Sequence, residues 1–188
     1  MSTFELATLL WYKRVERKKT MKIRAHKELD KKYRGFRYLV LTMDAGHRCG
    51  YVRIPKDHQI HGIDYNQETS VKMKDVADEE IGKRGIIPLM LQATGKKENV
   101  PLSWLFDVHG GITFTGKLRG FHSWWIGFDC AHLGDGKDES IMSNEYKNIT
   151  LRFAALAGGT IRTTEYVEQE CKNLIDQLIK YFPESKND

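Results

Sequence analysis

Val167, Cys171, Leu174, Leu178 and Tyr181 recur at spacings of three and four, which is the pattern of a helix with one apolar stripe. Thr163 or Thr164 stands at its start, and Glu165 and Glu168 follow in the first turns. A hydroxyl and acidic side chains there satisfy free backbone N–H groups and oppose the positive end of the helix dipole. Such a stripe is stable only against a second apolar layer. The rest of the chain must supply that layer, and its β-prone runs point to a sheet.

Arg37 to Met43 is rich in Tyr, Leu and Val, and Gly50 to Ile54 centres on Tyr51 and Val52. Asp44-Ala45-Gly46-His47 reads as the turn between them, so the pair predicts a hairpin. Pro55 ends it, and Lys56 to Tyr65 is a loop holding His58 and His61. Leu105 to His109, Ile112 to Thr115 and Trp124 to Cys130 are further short runs separated by glycines. Residues 4–32 read as helix, with Leu6, Leu9 and Leu10 on one side. In residues 66–103, Val71, Val76 and Ile81 suggest a short helix stopped by Gly82 and Gly85, with Pro88 interrupting the following apolar run. The expected fold is α+β: a mainly antiparallel sheet, a C-terminal amphipathic helix packed on it, and a helical N-terminal arm. One domain over 1–188 is expected, with a basic arm over 1–36 and an insertion over 66–103.

Apolar residues at 40% and charged residues at 29% place the chain with globular proteins rather than disordered ones. Cys49, Cys130 and Cys171 are widely spaced and form neither a CxxC motif nor an even set, so a reducing compartment is expected. The N-terminal apolar run is short and basic residues follow it, the reverse of a signal peptide. No stretch approaches the roughly 18 apolar residues of a membrane helix. These features predict a cytoplasmic protein without a membrane partner, as a monomer or a small homo-oligomer. Twelve basic residues lie between Lys13 and Arg37 against Glu16, Glu28 and Asp30. A solvated face explains such a run, and nucleic acid is the lesser alternative partner.

Three constellations carry the candidate chemistry. In the first, His109 leads into Gly110 and Gly111, which allow positive φ and close approach of backbone to a ligand, or form a plain turn. In the second, Trp124 and Trp125 open a buried strand that ends in Asp129, Cys130, His132 and Asp135. A sheet fixes such groups while the following loop leaves them accessible. His109, Asp129, His132 and Asp135 are permissible transition-metal ligands, although the spacing matches no metal motif. The structural alternative has Asp129 capping a turn and His132 bonding a backbone carbonyl. In the third, Gly158 and Gly159 precede Arg162 and Thr163 at the start of the last helix, where free N–H groups and a forked cation suit a phosphate or carboxylate. Helix capping also accounts for the threonines.

The blocks Gly50-Tyr51-Val52, His109-Gly110-Gly111-Ile112-Thr113 and Trp124-Trp125-Ile126-Gly127-Phe128-Asp129-Cys130-Ala131-His132, with Arg162-Thr163 before Tyr166, resemble a family of small uncharacterised bacteriophage and prophage proteins. The resemblance runs in discontinuous blocks from about Gly50 to Leu178. It implies host cytoplasm and a role in counter-defence, including sequestration or degradation of nucleotide immune signals. The segment between Tyr65 and Leu105 and the basic arm depart from the family pattern.

The expected function is sequestration of a small anionic, nucleotide-derived ligand by His109, Gly110, Gly111, Trp125, Asp129, His132, Asp135, Arg162 and Thr163. A His- or metal-dependent hydrolase of such a ligand is the first alternative, with no cofactor specified. An inhibitor binding an acidic protein through the basic arm is the second. Neutralising Lys18, Lys19 and Lys22 together is expected to leave nucleotide affinity nearly unchanged at physiological salt, where exposed charges are screened over roughly 8 Å. A tenfold loss in a calorimetric titration would place the ligand on the arm.

Overall fold

A computed structural model of the protein describes residues 24–76, 99–150 and 159–183. Strands β1 Ala25–Tyr33, β2 Phe36–Met43, β3 His47–Ile54, β6 Phe114–Lys117 and β7 Trp124–Asp129 form one antiparallel sheet. Their order is β1-β2-β3-β7-β6. A two-stranded pair, β4 Glu68–Lys72 with β5 Asn99–Pro101, stands apart. Among the described helices, α1 is Leu102–Leu105, α2 is Asn144–Thr150, and α3, Thr164–Tyr181, lies on the sheet against β1, β2 and β3. The fold is the expected α+β arrangement.

The first three strands form a meander because its connections suit glycine. Arg34 and Gly35 take φ of 45° and 87° between β1 and β2, and Gly46 at 84° closes the next turn by donating to Met43 O at 2.8 Å. Such left-handed residues match the twist of the flanking strands. Side chains then alternate across the sheet. Tyr38, Val40, Val52, Ile54, Ile126 and Phe128 join Val167, Cys171, Leu174 and Leu178 of α3 in the main core. Leu39, Leu41, Cys49, Tyr51 and Trp125 form a second buried cluster on the other face. Gly50 permits the close seating of α3: a Cβ there would collide with the Phe128 ring and lie 2.7 Å from Cys171 Sγ.

The helical arm is corrected from Ala25 onward, and residues 1–23 lie outside the described residues. Ala25 to Tyr33 pairs with β2 from Met43 to Phe36, a bulge falling between Lys27 and Leu29. Leu29 and Tyr33 pack against the main core, so the neighbouring strand overrides a weak helical pattern. Several basic residues here are engaged: Lys31 meets Glu168 at 3.1 Å, Arg34 meets Asp176 at 2.6 Å, and Arg37 meets Asp30 at 2.8 Å.

Residues 66–103 are also corrected where they are described. Val71 belongs to β4, and only Met73–Asp75 turns, as a 3-10 helix. The buried Thr69 hydroxyl donates to Val100 O at 2.8 Å, tying β4 to β5. Ile81, Gly82, Gly85 and Pro88 lie outside the described residues. Val76, Val100, Leu102 and Leu105 all enter the main core. The predicted strand Leu105 to His109 is instead the end of α1 followed by irregular chain, and the Ile112 to Thr115 run is displaced to Phe114–Lys117.

No described helix is long and apolar enough to cross a membrane. The α3 stripe is buried through Val167, Cys171, Leu174 and Leu178, all fully shielded, with Tyr181 at its margin. Leu174→Ala is therefore expected to destabilise the protein by about 2–5 kcal/mol in urea unfolding, from lost burial plus the cavity left behind. A change below about half a kcal/mol would mean that the helix packs through another face.

Candidate functional site

His109 reaches its position without a strand ladder. The segment before it is held by polar side chains of α3: Gln177 Oε1 accepts from Asp107 N at 2.8 Å, and Asn173 Nδ2 and Gln177 Nε2 donate to Asp107 O at 2.9 and 2.8 Å. Glu170 Oε2 then accepts from His109 N at 2.8 Å. These bonds satisfy backbone groups that a partner strand would otherwise take. Gly110 and Gly111, with φ of 67° and 79°, turn the chain back toward β6.

Asp135 arrives from the other side, on the loop after β7. It forms a single parallel bridge with Thr160, flanked by Thr160 N to Gly134 O and Gly136 N to Thr160 O, each 2.9 Å. The backbones approach so closely that a Cβ on Gly136 would stand 2.6 Å from Gly159 O. This clasp brings Arg162 over Asp135. Arg48 secures it from below: its buried guanidinium donates to Glu28, to Asp138 and to Arg162 O. Glu28 is the residue at the β1 bulge.

At the centre, Asp135 Oδ1 accepts from Arg162 Nε at 2.9 Å, while Oδ2 accepts from His109 Nε2 at 2.8 Å and from His132 N at 2.9 Å. The carboxylate side chain is 1% exposed. Burial pushes its pKa up, but the bonds from Arg162, His109 and the His132 amide outweigh burial and hold it at about 2. An ionised carboxylate only accepts, so His109 Nε2 carries a hydrogen. In the neutral ring Nδ1 accepts from the Tyr166 hydroxyl at 3.1 Å. Tyr166 in turn lies under the Arg162 guanidinium, 5.0 Å from ring centroid to Cζ. The terminal nitrogens of Arg162 have no hydrogen-bond partner among the described residues.

His132 lies beside His109, with ring centroids 5.6 Å apart. It rests on the bare Cα of Gly110, where a Cβ would strike the imidazole. Its Nε2 is buried without a hydrogen-bond partner among the described residues, 3.7 Å from Asp129 Oδ1. Asp129 accepts from Ala131 N at 3.1 Å and Thr113 Oγ1 at 2.9 Å, the turn-capping role that its position suggests, whereas the expected bond from His132 to a backbone carbonyl is not present among the described residues.

The structure thus brings together His109, Gly110, His132, Asp135 and Arg162, with Asp129 at the edge and Gly111 in the turn. Trp125 is elsewhere, fully buried on the opposite face against Phe121. Thr163 caps α3 by accepting from Tyr166 N at 3.3 Å. Burial pushes the Cys130 thiol up to about 12, which disfavours a nucleophile. Among the described residues no group of three His, Cys, Asp or Glu side chains is arranged to hold a metal. Tyr166 and Glu170 were not among the candidates. Tyr166, Glu170, Asn173 and Gln177 recur at spacings of four, three and four, the signal for one helical face. Comparison with protein-family models, curated proteins and solved structures returned no match.

Asp135→Asn is expected to cost about 1.5–3 kcal/mol at neutral pH, the range for hydrogen bonds to a charged group. Because the folded-state pKa lies below the ordinary carboxylate value, the stabilisation is complete above that value and is lost as pH falls toward about 2. The gap between wild-type and variant urea midpoints should close between about pH 5 and about pH 2. A constant gap would show that Asp135 is not ionised in the fold.

Proposed function

We propose that the protein binds and sequesters a small anionic, nucleotide-derived ligand at the Arg162 face of this site. The observation that carries the reading is Arg162 itself: pinned through Nε by a buried carboxylate and laid over Tyr166, it presents terminal N–H donors that are unused among the described residues. A guanidinium fixed in this way loses little freedom when it grips a phosphate, and the Tyr166 ring beside it offers a stacking surface. Holding rather than turnover is supported by His109, whose two ring nitrogens are engaged by Asp135 and Tyr166. A general base needs a free nitrogen within reach of the proton it takes. The family resemblance adds a setting, counter-defence by a phage protein in host cytoplasm, in which removing a nucleotide signal from solution is sufficient.

One observation favours hydrolysis as a second reading. His132 Nε2 lacks a hydrogen-bond partner among the described residues, and the Asp129 carboxylate lies 3.7 Å from it. A ring movement that carries this nitrogen from beside Asp129 to the ligand would make His132 the base.

Incubation with a panel of cyclic and linear nucleotides, followed by heat denaturation and chromatography, separates the two readings. Sequestration predicts a thermal shift and intact recovery, whereas conversion that is lost in His132→Ala would establish the hydrolase. Arg162→Ala is expected to weaken the bound nucleotide by about 1.5–3 kcal/mol. Unchanged affinity in that variant would remove the ligand from this site.

A further inference from the structure

We propose a second anion site at the far end of β7, built for a phosphorylated small molecule that carries a flat ring. A cleft of about 320 Å³ opens there, lined by Arg53, Lys56, His61, His122, Ser123 and Trp124 together with the wall formed by Ile54 and Pro55. Its volume falls within the range of small-ligand pockets, roughly 300–1,000 Å³. Pairing of Ile54 with Trp124 sets the end of β3 beside the start of β7, so Arg53 and Lys56 meet His122 and Ser123 across one strand boundary. Five residue steps along β7 lead from Trp124 to Asp129, roughly 16 Å. This cleft is therefore not the Arg162 site.

Its charge argues for an anion. Two permanent cations and two imidazoles converge, and the lining contains no carboxylate. Arg34, Arg37, Arg48 and Arg162 each hold a carboxylate, whereas neither Arg53 nor Lys56 has an acidic partner among the described residues. Like charges gathered at a concave surface repel unless something negative joins them. Arg53 offers the forked donor geometry that matches a phosphate, and Lys56 adds a mobile point charge.

The aromatic wall argues for a ring beside the phosphate. Trp124 and His61 pack against each other, 5.9 Å apart at 45°, and both line the cleft, so a flat ring can rest against them. Phosphate on Arg53 and Lys56 with a base against Trp124 satisfies both features.

Calorimetric titration with AMP, inorganic phosphate and adenosine tests the assignment. AMP is expected to bind more tightly than either fragment. Arg53→Ala combined with Lys56→Ala should weaken AMP at this site about tenfold or more, the loss expected for charge-assisted hydrogen bonds. Arg162→Ala should leave this binding step unchanged, which separates it from the function proposed above. Lys56→Ala and His122→Ala alter exposed side chains and provide the same test, with smaller losses, if the double variant does not fold. Equal AMP affinity in wild-type protein and all cleft variants would overturn the proposal. So would AMP binding abolished by Arg162→Ala alone, or binding of a single-stranded oligonucleotide with none of AMP.

Discussion

A carboxylate removed from water must be neutralised or fully bonded, and Asp135 meets that condition with donors from three separate stretches of chain. Arg162 comes from the approach to α3, His109 from the turn before β6, and the His132 amide from Asp135's own loop. None of these stretches pairs with another along an extended ladder. Their relative positions follow from one buried charge, supported by the bridge to Thr160 and by Arg48 beneath. The sheet supplies the floor of the site, and Asp135 arranges what stands on it.

Helix α3 has two chemically distinct faces with separate tasks. Val167, Cys171, Leu174 and Leu178 seat it on the sheet. Tyr166, Glu170, Asn173 and Gln177 engage His109 and the chain that leads to it, and Arg162 stands just before the helix. The apolar face fixes the helix and thereby fixes the polar one. A third group, Glu168 and Asp176, reaches the edge hairpin through Tyr38, Lys31 and Arg34. Stability and site geometry therefore share one element.

The features legible in sequence were those written in a short period. The α3 stripe, the β2–β3 hairpin and β7 each contain their own apolar repeat and turn residues, and each stands where that pattern put it. Ala25 to Tyr33 reads as helix only from a weak pattern, and its strand character comes from pairing with β2. Leu105 to His109 reads as a strand because it is apolar, yet the Asp107 backbone bonds to amide side chains 66 and 70 positions later, and His109 N to a carboxylate 61 positions later. No local pattern records such a partner. The site showed the same division: residue types placed His109, His132, Asp135 and Arg162 among the candidates, but Trp125 shared their block while pointing through the sheet to the other face. Tyr166 was hidden because an aromatic on an amphipathic helix reads as core.

The bonds from Gln177 and Glu170 to the Asp107 and His109 amides carry a kinetic meaning. Amide protons normally exchange with solvent when their own ladder opens. These two are protected by side chains rooted on α3, so they are released when the helix detaches or when those side chains swing away. The loop that presents His109 therefore belongs to the same cooperative unit as the C-terminal helix, and its openings are governed by helix docking rather than by the glycines beside it.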